Sequence, residues 1–160
     1  MCQECIKNVF TYQQLGSPIN SFAMKYIDDK LIDAAVDVIS DDDDKYDEVL
    51  ADLEQKQPAI LSYLNDDDST AFTEEELDYI HYLLLIMWDA VRRVHPNMPE
   101  ISAEAIADAE ELNWSKLEHV EAKRFKDRLD IFFDTANQED LLAFLEDALQ
   151  EDEESLEAGR

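Results

Sequence analysis

The chain predicts an all-α fold: an irregular bundle of about six or seven helices packed around one buried central helix at about residues 73–95. Three observations predict it. Only 2 Gly and 4 Pro occur among 160 residues, too few for the many turns of an all-β chain. Apolar residues recur three and four positions apart along several long segments, the period of a helix with one buried face. Many of those segments open on residues that cap helices and close near Gly or Pro.

Gln3–Leu15 predicts a first helix, with Ile6, Val9 and Phe10 on one face and Gly16 as its stop. Ser17 and Pro18 then suit the N-cap and first turn of a long helix reaching about Ile39. Ile19, Phe22, Ala23, Tyr26, Ile27, Leu31, Ala34 and Val38 stripe it, and Asp28, Asp29, Asp33 and Asp37 take the other side with Lys25. Ser40 is the expected cap of the next helix, which places Asp41–Asp44 in a first turn where the helix dipole favours negative charge. Tyr46, Val49, Leu50 and Leu53 form its buried stripe. Pro58 ends it and opens a short helix to Leu64.

A polar loop over Asn65–Phe72 precedes Thr73 and Glu76, which spell a capping box. The helix they open runs to about Val94. Leu77, Ile80, Leu84, Met87, Trp88 and Val91 line one face, and Leu83, Leu85 and Ile86 extend the apolar surface nearly all round, which marks the central element. Pro96 and Pro99 close it. Ser102 caps the following helix, with Ile101 and Ile106 as a hydrophobic staple. Ser115 and Glu118 spell another capping box, which predicts a new helix from Ser115 to about Thr135 with Leu117, Val120, Leu129, Phe132 and Phe133 in the core. The last helix opens at Asn137 and packs Leu141, Leu142, Leu145, Ala148 and Leu149. Residues 1–150 read as a single helical domain and 151–160 as an acidic tail that frays.

The net charge is −27, from 40 Asp+Glu against 13 Lys+Arg. Such an excess repels nucleic acid and anionic membranes, so direct binding to either is not expected, and a basic protein partner is favoured. No signal peptide is visible, and the longest apolar stretch, Ile80–Trp88, is too short to span a bilayer. The expected location is the cytoplasm.

Several sites nearly qualify as chemistry. Cys2 and Cys5 form a C-x-x-C pair, which chelates zinc only with further ligands or cycles as a dithiol in a βαβ setting that this chain lacks. Asn65, Asp67, Ser69, Phe72, Thr73 and Glu76 keep the register of an EF-hand calcium loop, but Asn65 replaces the usual Asp and Thr70 stands where the turn needs Gly. Carboxylate-bridged di-metal bundles need paired Glu-x-x-His elements, and the nearest is Asp78-x-x-His81, once. His81, His95 and His119 are scattered. Lys116, Lys123, Arg124, Lys126 and Arg128 gather five of the 13 basic residues, but Glu118, Glu121, Asp127 and Asp130 are interleaved, which points to internal ion pairing with acidic helices. No catalytic residue, cofactor or resident metal is assigned.

The expected function is therefore non-enzymatic protein–protein binding by an acidic helical protein. One alternative is an acidic nucleic-acid mimic that blocks a basic nucleic-acid-binding protein, with Asp41–Asp44, Asp66–Asp68, Glu74–Glu76 and the acidic tail Glu151–Arg160 imitating phosphates. Another is a metal-binding domain using the Cys2/Cys5 pair or the Asn65–Glu76 loop. The charge itself makes a prediction. Exposed ion pairs contribute only ~0–1 kcal/mol each, so self-repulsion outweighs them. Thermal melts at neutral pH are expected to show the melting temperature rising as NaCl goes from low to physiological strength; a fall would mean that native ion pairs dominate.

Overall fold

A computed structural model describes residues 24–65, 72–121 and 125–158. Among the described residues there are seven helices and no strand: α1 (Asp29–Asp41), α2 (Asp43–Lys56), α3 (Pro58–Leu64), α4 (Glu74–Val94), α5 (Ala103–Leu117), α6 (Phe125–Phe133) and α7 (Glu139–Ala158). The expected helix over Gln3–Leu15, and residues 18–23 of the next, lie outside the described residues.

The central element is α4. Its expected capping box forms: the Thr73 N–H donates to Glu76 Oε2 at 2.8 Å, and the Glu76 N–H donates to Thr73 Oγ1 at 3.2 Å. Ile80 and every residue from Leu83 to Val91 are buried, so the helix has no solvent face between Leu83 and Val91. α1 and α2 pack on it and on each other, α7 packs on α1 and α6, and α3 packs on α2 and α5. One cluster of buried side chains runs through the whole, from Ile27, Ile32 and Leu53 through α4 to Leu129, Leu141 and Leu149.

Two buried glutamines take over where helices stop. Gln57, between α2 and α3, donates from Nε2 to the Pro99 carbonyl at 3.0 Å and accepts the Ile101 N–H on Oε1 at 2.8 Å. Gln138, just before α7, donates from Nε2 to the Lys25 carbonyl at 3.0 Å and accepts the Ile27 N–H on Oε1 at 2.9 Å. Each side-chain amide therefore grips the C=O of one residue and the N–H of the residue two further on, as a neighbouring strand would. Buried backbone polar groups need such partners.

The second grip corrects the expected helix from Pro18 to Ile39. Residues 24–28 are not helical, and α1 begins only at Asp29. Asp28 is extended, and its carboxylate caps the helix by accepting the Leu31 N–H at 3.1 Å. Upstream, the Lys25 N–H donates to His95 Nε2 at 2.9 Å and the Ile27 N–H is held by Gln138, so tertiary partners replace intrahelical ones. The Tyr26 hydroxyl stays protonated above its ordinary range, chiefly through its hydrogen bond to Asp140.

Other boundaries also move. α1 runs through Ser40 to Asp41, and Asp42 rather than Ser40 caps α2, accepting the Lys45 N–H at 3.1 Å. The Ser40 hydroxyl instead shares a 2.8 Å hydrogen bond with that of Tyr82. No helix starts at Ser115, because α5 continues through it to Leu117. Ala105, Ala109, Asn113 and Leu117 are buried at four-residue spacing, and this packed stripe carries the helix across the Ser-x-x-Glu signal. The next helix, α6, begins at Phe125 and ends at Phe133, short of the expected Thr135, and α7 begins at Glu139 rather than Asn137. Residues 151–158 continue α7.

Truncating Leu84 or Trp88 to Ala is expected to destabilise by ~2–5 kcal/mol, since each leaves a cavity in the core. Gln138→Ala is expected to cost ~1–3 kcal/mol, because it strands the buried Ile27 N–H. Urea denaturation measures both, and a Gln138→Ala variant as stable as the parent would show that water replaces the grip.

Candidate functional site

Many of the chain's cations are engaged by its own carboxylates, some of them at exposed positions. Five cations of α2, α4 and α6 are spent on internal pairs. Lys45 Nζ lies 2.6 Å from Glu48 Oε2, and Lys56 Nζ lies 2.8 Å from Asp52 Oδ1. Arg92 Nη2 lies 2.8 Å from Asp89 Oδ1 and its guanidinium reaches Glu48 at 3.7 Å and Asp52 at 3.8 Å. Arg93 Nε donates to the other Asp89 oxygen at 2.6 Å. Lys126 Nζ, a member of the expected basic cluster, lies 3.6 Å from Glu146 of α7.

The α2–α4 network centres on Asp89, which is only 1% exposed. A carboxylate buried this deeply requires compensation, and the two arginines one turn on supply it from both sides. Asp52 ties the network to the core by accepting the Trp88 indole N–H at 3.0 Å. Lys45 holds the Glu48 carboxyl below its ordinary range through their hydrogen bond.

Lys116, Lys123, Arg124, Lys126 and Arg128 do not share one helix. Lys116 closes α5, Lys126 and Arg128 belong to α6, and Lys123 and Arg124 lie outside the described residues. Lys116 sits 5.6 Å from the centre of the Phe132 ring, and burial lowers its pKa. Cys2 and Cys5 lie outside the described residues, as do positions 66–71 of the Asn65–Glu76 loop. The Glu76 carboxylate at the twelfth place of that loop is engaged by Thr73, whose N–H holds its pKa below the ordinary range. Among the described residues no group of three or more His, Cys, Asp or Glu could hold a metal ion.

The outer faces are acidic. Asp29, Asp33, Asp37 and Asp41 are all exposed at every fourth position of α1. Beside this face, α1, α4 and α7 enclose an open groove of about 250 Å³. α1 contributes Val36, α4 contributes Tyr79, Tyr82 and Ile86, and α7 contributes Phe144 and Asp147. The two tyrosine rings are nearly parallel, at 19°, with centres 6.3 Å apart. Both are fixed at their tips: the Tyr79 hydroxyl donates to the Ala148 carbonyl at 3.1 Å, and the Tyr82 hydroxyl is bonded to Ser40. Asp147, exposed, is the charged member of the lining. An apolar lining with two tyrosines and one carboxylate suits a cation with an apolar stem.

Sequence reading placed none of these groups in a site. Tyr79 and Tyr82 stand one helical turn apart, and Asp89, Arg92 and Arg93 keep the spacing of a helical ion pair, so the signals are present. The groove is different, since Phe144 and Asp147 meet Tyr79 only through the tertiary fold. No protein-family model matches the chain, and neither does any curated protein or solved structure. Among the described residues no helix is long and apolar enough to cross a membrane.

The Asp89 network should be visible in stability. Replacing Arg92 and Arg93 together by Ala is expected to cost ~3–5 kcal/mol, because a buried carboxylate loses its compensation. Adding Asp89→Leu to that double variant is expected to restore part of the loss, measured by urea denaturation. A double variant with parental stability would mean that water reaches Asp89.

Proposed function

We propose that this chain is a non-enzymatic binding protein whose acidic outer surface docks a basic partner protein, with the cytoplasm as its place of action. The observation that carries the proposal is the division of charge. Lys45, Lys56, Arg92, Arg93 and Lys126 are engaged with carboxylates of the chain itself, while Asp29, Asp33, Asp37 and Asp41 face solvent along α1. A surface of one sign steers a partner of the other and sets the register of docking.

The same α1 ladder favours a narrower version, in which the partner is a nucleic-acid-binding protein and the ladder occupies its basic groove. Residues four apart on a helix rise by ~6 Å, so the carboxylates form a regular anionic row. Immobilised full-length protein, exposed to an extract of the cells that make it, is expected to retain proteins of high isoelectric point and release them in a salt gradient. Release by added duplex DNA or RNA would support the mimic. Retention of nothing, or of proteins without a basic bias that persist at high salt, would overturn the proposal.

A further inference from the structure

We propose that the groove between α1, α4 and α7 receives a single arginine side chain of that basic partner. The inference rests on the proposed function and assigns its anchor point. The groove is smaller than the ~300–1,000 Å³ typical of small-molecule sites, and at about 250 Å³ it suits one long side chain. Its floor, Val36, Ile86 and Phe144, would cover an alkyl stem. Asp147 would pair with the planar head beside the tyrosines of the lining.

Charge complementarity selects this occupant. α7 carries no Lys or Arg, and α4 carries none before Arg92. Asp33 and Asp37 flank Val36 on α1, and Asp78 adjoins Tyr79; all three are exposed. An acidic or neutral apolar segment would gain nothing from this rim. Guanidinium is preferred to ammonium because it is planar, stacks on rings and is more weakly hydrated.

The test uses the full chain and a 15-residue helical peptide of Ala, Leu and Arg, with a second peptide in which neutral citrulline replaces Arg. Affinity is measured by calorimetry at physiological salt, and ring signals of Tyr79, Tyr82 and Phe144 by NMR. The Arg peptide is expected to bind saturably, to move those ring signals, and to lose about tenfold in affinity when citrulline replaces Arg or with Asp147→Lys. Asp108→Lys, an exposed change of equal charge on α5, is expected to weaken binding by less than about twofold. Asp147→Asn against Asp108→Asn, both of which keep the packing, provides the same comparison if Asp147→Lys fails to fold. Equal weakening by Asp147→Lys and Asp108→Lys with unmoved ring signals would overturn the groove assignment while leaving the basic-partner proposal in place. No binding of the Arg peptide to the parent chain would also overturn the groove assignment, while the basic-partner proposal stands or falls on the retention experiment.

Discussion

A helix without a solvent face has to be covered on every side, and in this chain the cover is made of segments that repel one another. α4 buries everything from Leu83 to Val91, so α1 and α2 close on it, and α7, packed on α1, reaches it through the Tyr79–Ala148 bond. These helices bring long acidic faces, and α7 brings no cation at all. Apolar burial, at ~25 cal/mol per Å², is what holds the shell against its own field. The same constraint explains where the cations go. Two of them sit where helices meet, Arg92 between Asp89, Glu48 and Asp52 and Lys126 against Glu146, and so join acidic elements that would otherwise part.

Polar bonding inside the bundle follows an economy of side-chain amides. Helices satisfy their own backbone, but the extended pieces at 24–28 and 99–101 cannot. Gln57 and Gln138 are both neutral, carry both a donor and an acceptor, and so serve an N–H and a C=O at once without adding charge to an interior already supplied with it. A glutamate in either place would accept but not donate, and would add another buried anion.

Much of this architecture was legible in the sequence, and the parts that were not share a cause. The all-round apolar run after Ile80 identifies α4 as central, and Thr73, Ser102 and Pro58 mark true starts because their signals are local. The misplaced boundaries arise where a local signal competes with a distant partner. The stripe through Tyr26 and Ile27 suggests helix, yet His95 and Gln138 capture the Lys25 and Ile27 amides from far along the chain. Ser115 and Glu118 imitate a cap, yet Asn113 and Leu117 are already packed in register. The groove was illegible for the same reason: Tyr79 and Asp147 become neighbours only once α4 and α7 have both found α1.

The grip of Gln138 on Ile27 spans 111 residues. During synthesis the chain emerges from its N-terminal end, so α1 to α5 can associate while Gln138 is still unmade or inside the ribosome. Until α7 is released, the Ile27 N–H and Lys25 carbonyl lack this partner and the α7 side of α1 lies open. Closure by a long loop also makes this contact costly to form early, since loop entropy must be lost before the contact repays it. The segment at 24–28 is therefore the last seam to close, and a nascent chain stalled before residue 138 exposes an unsealed apolar flank to chaperones and proteases.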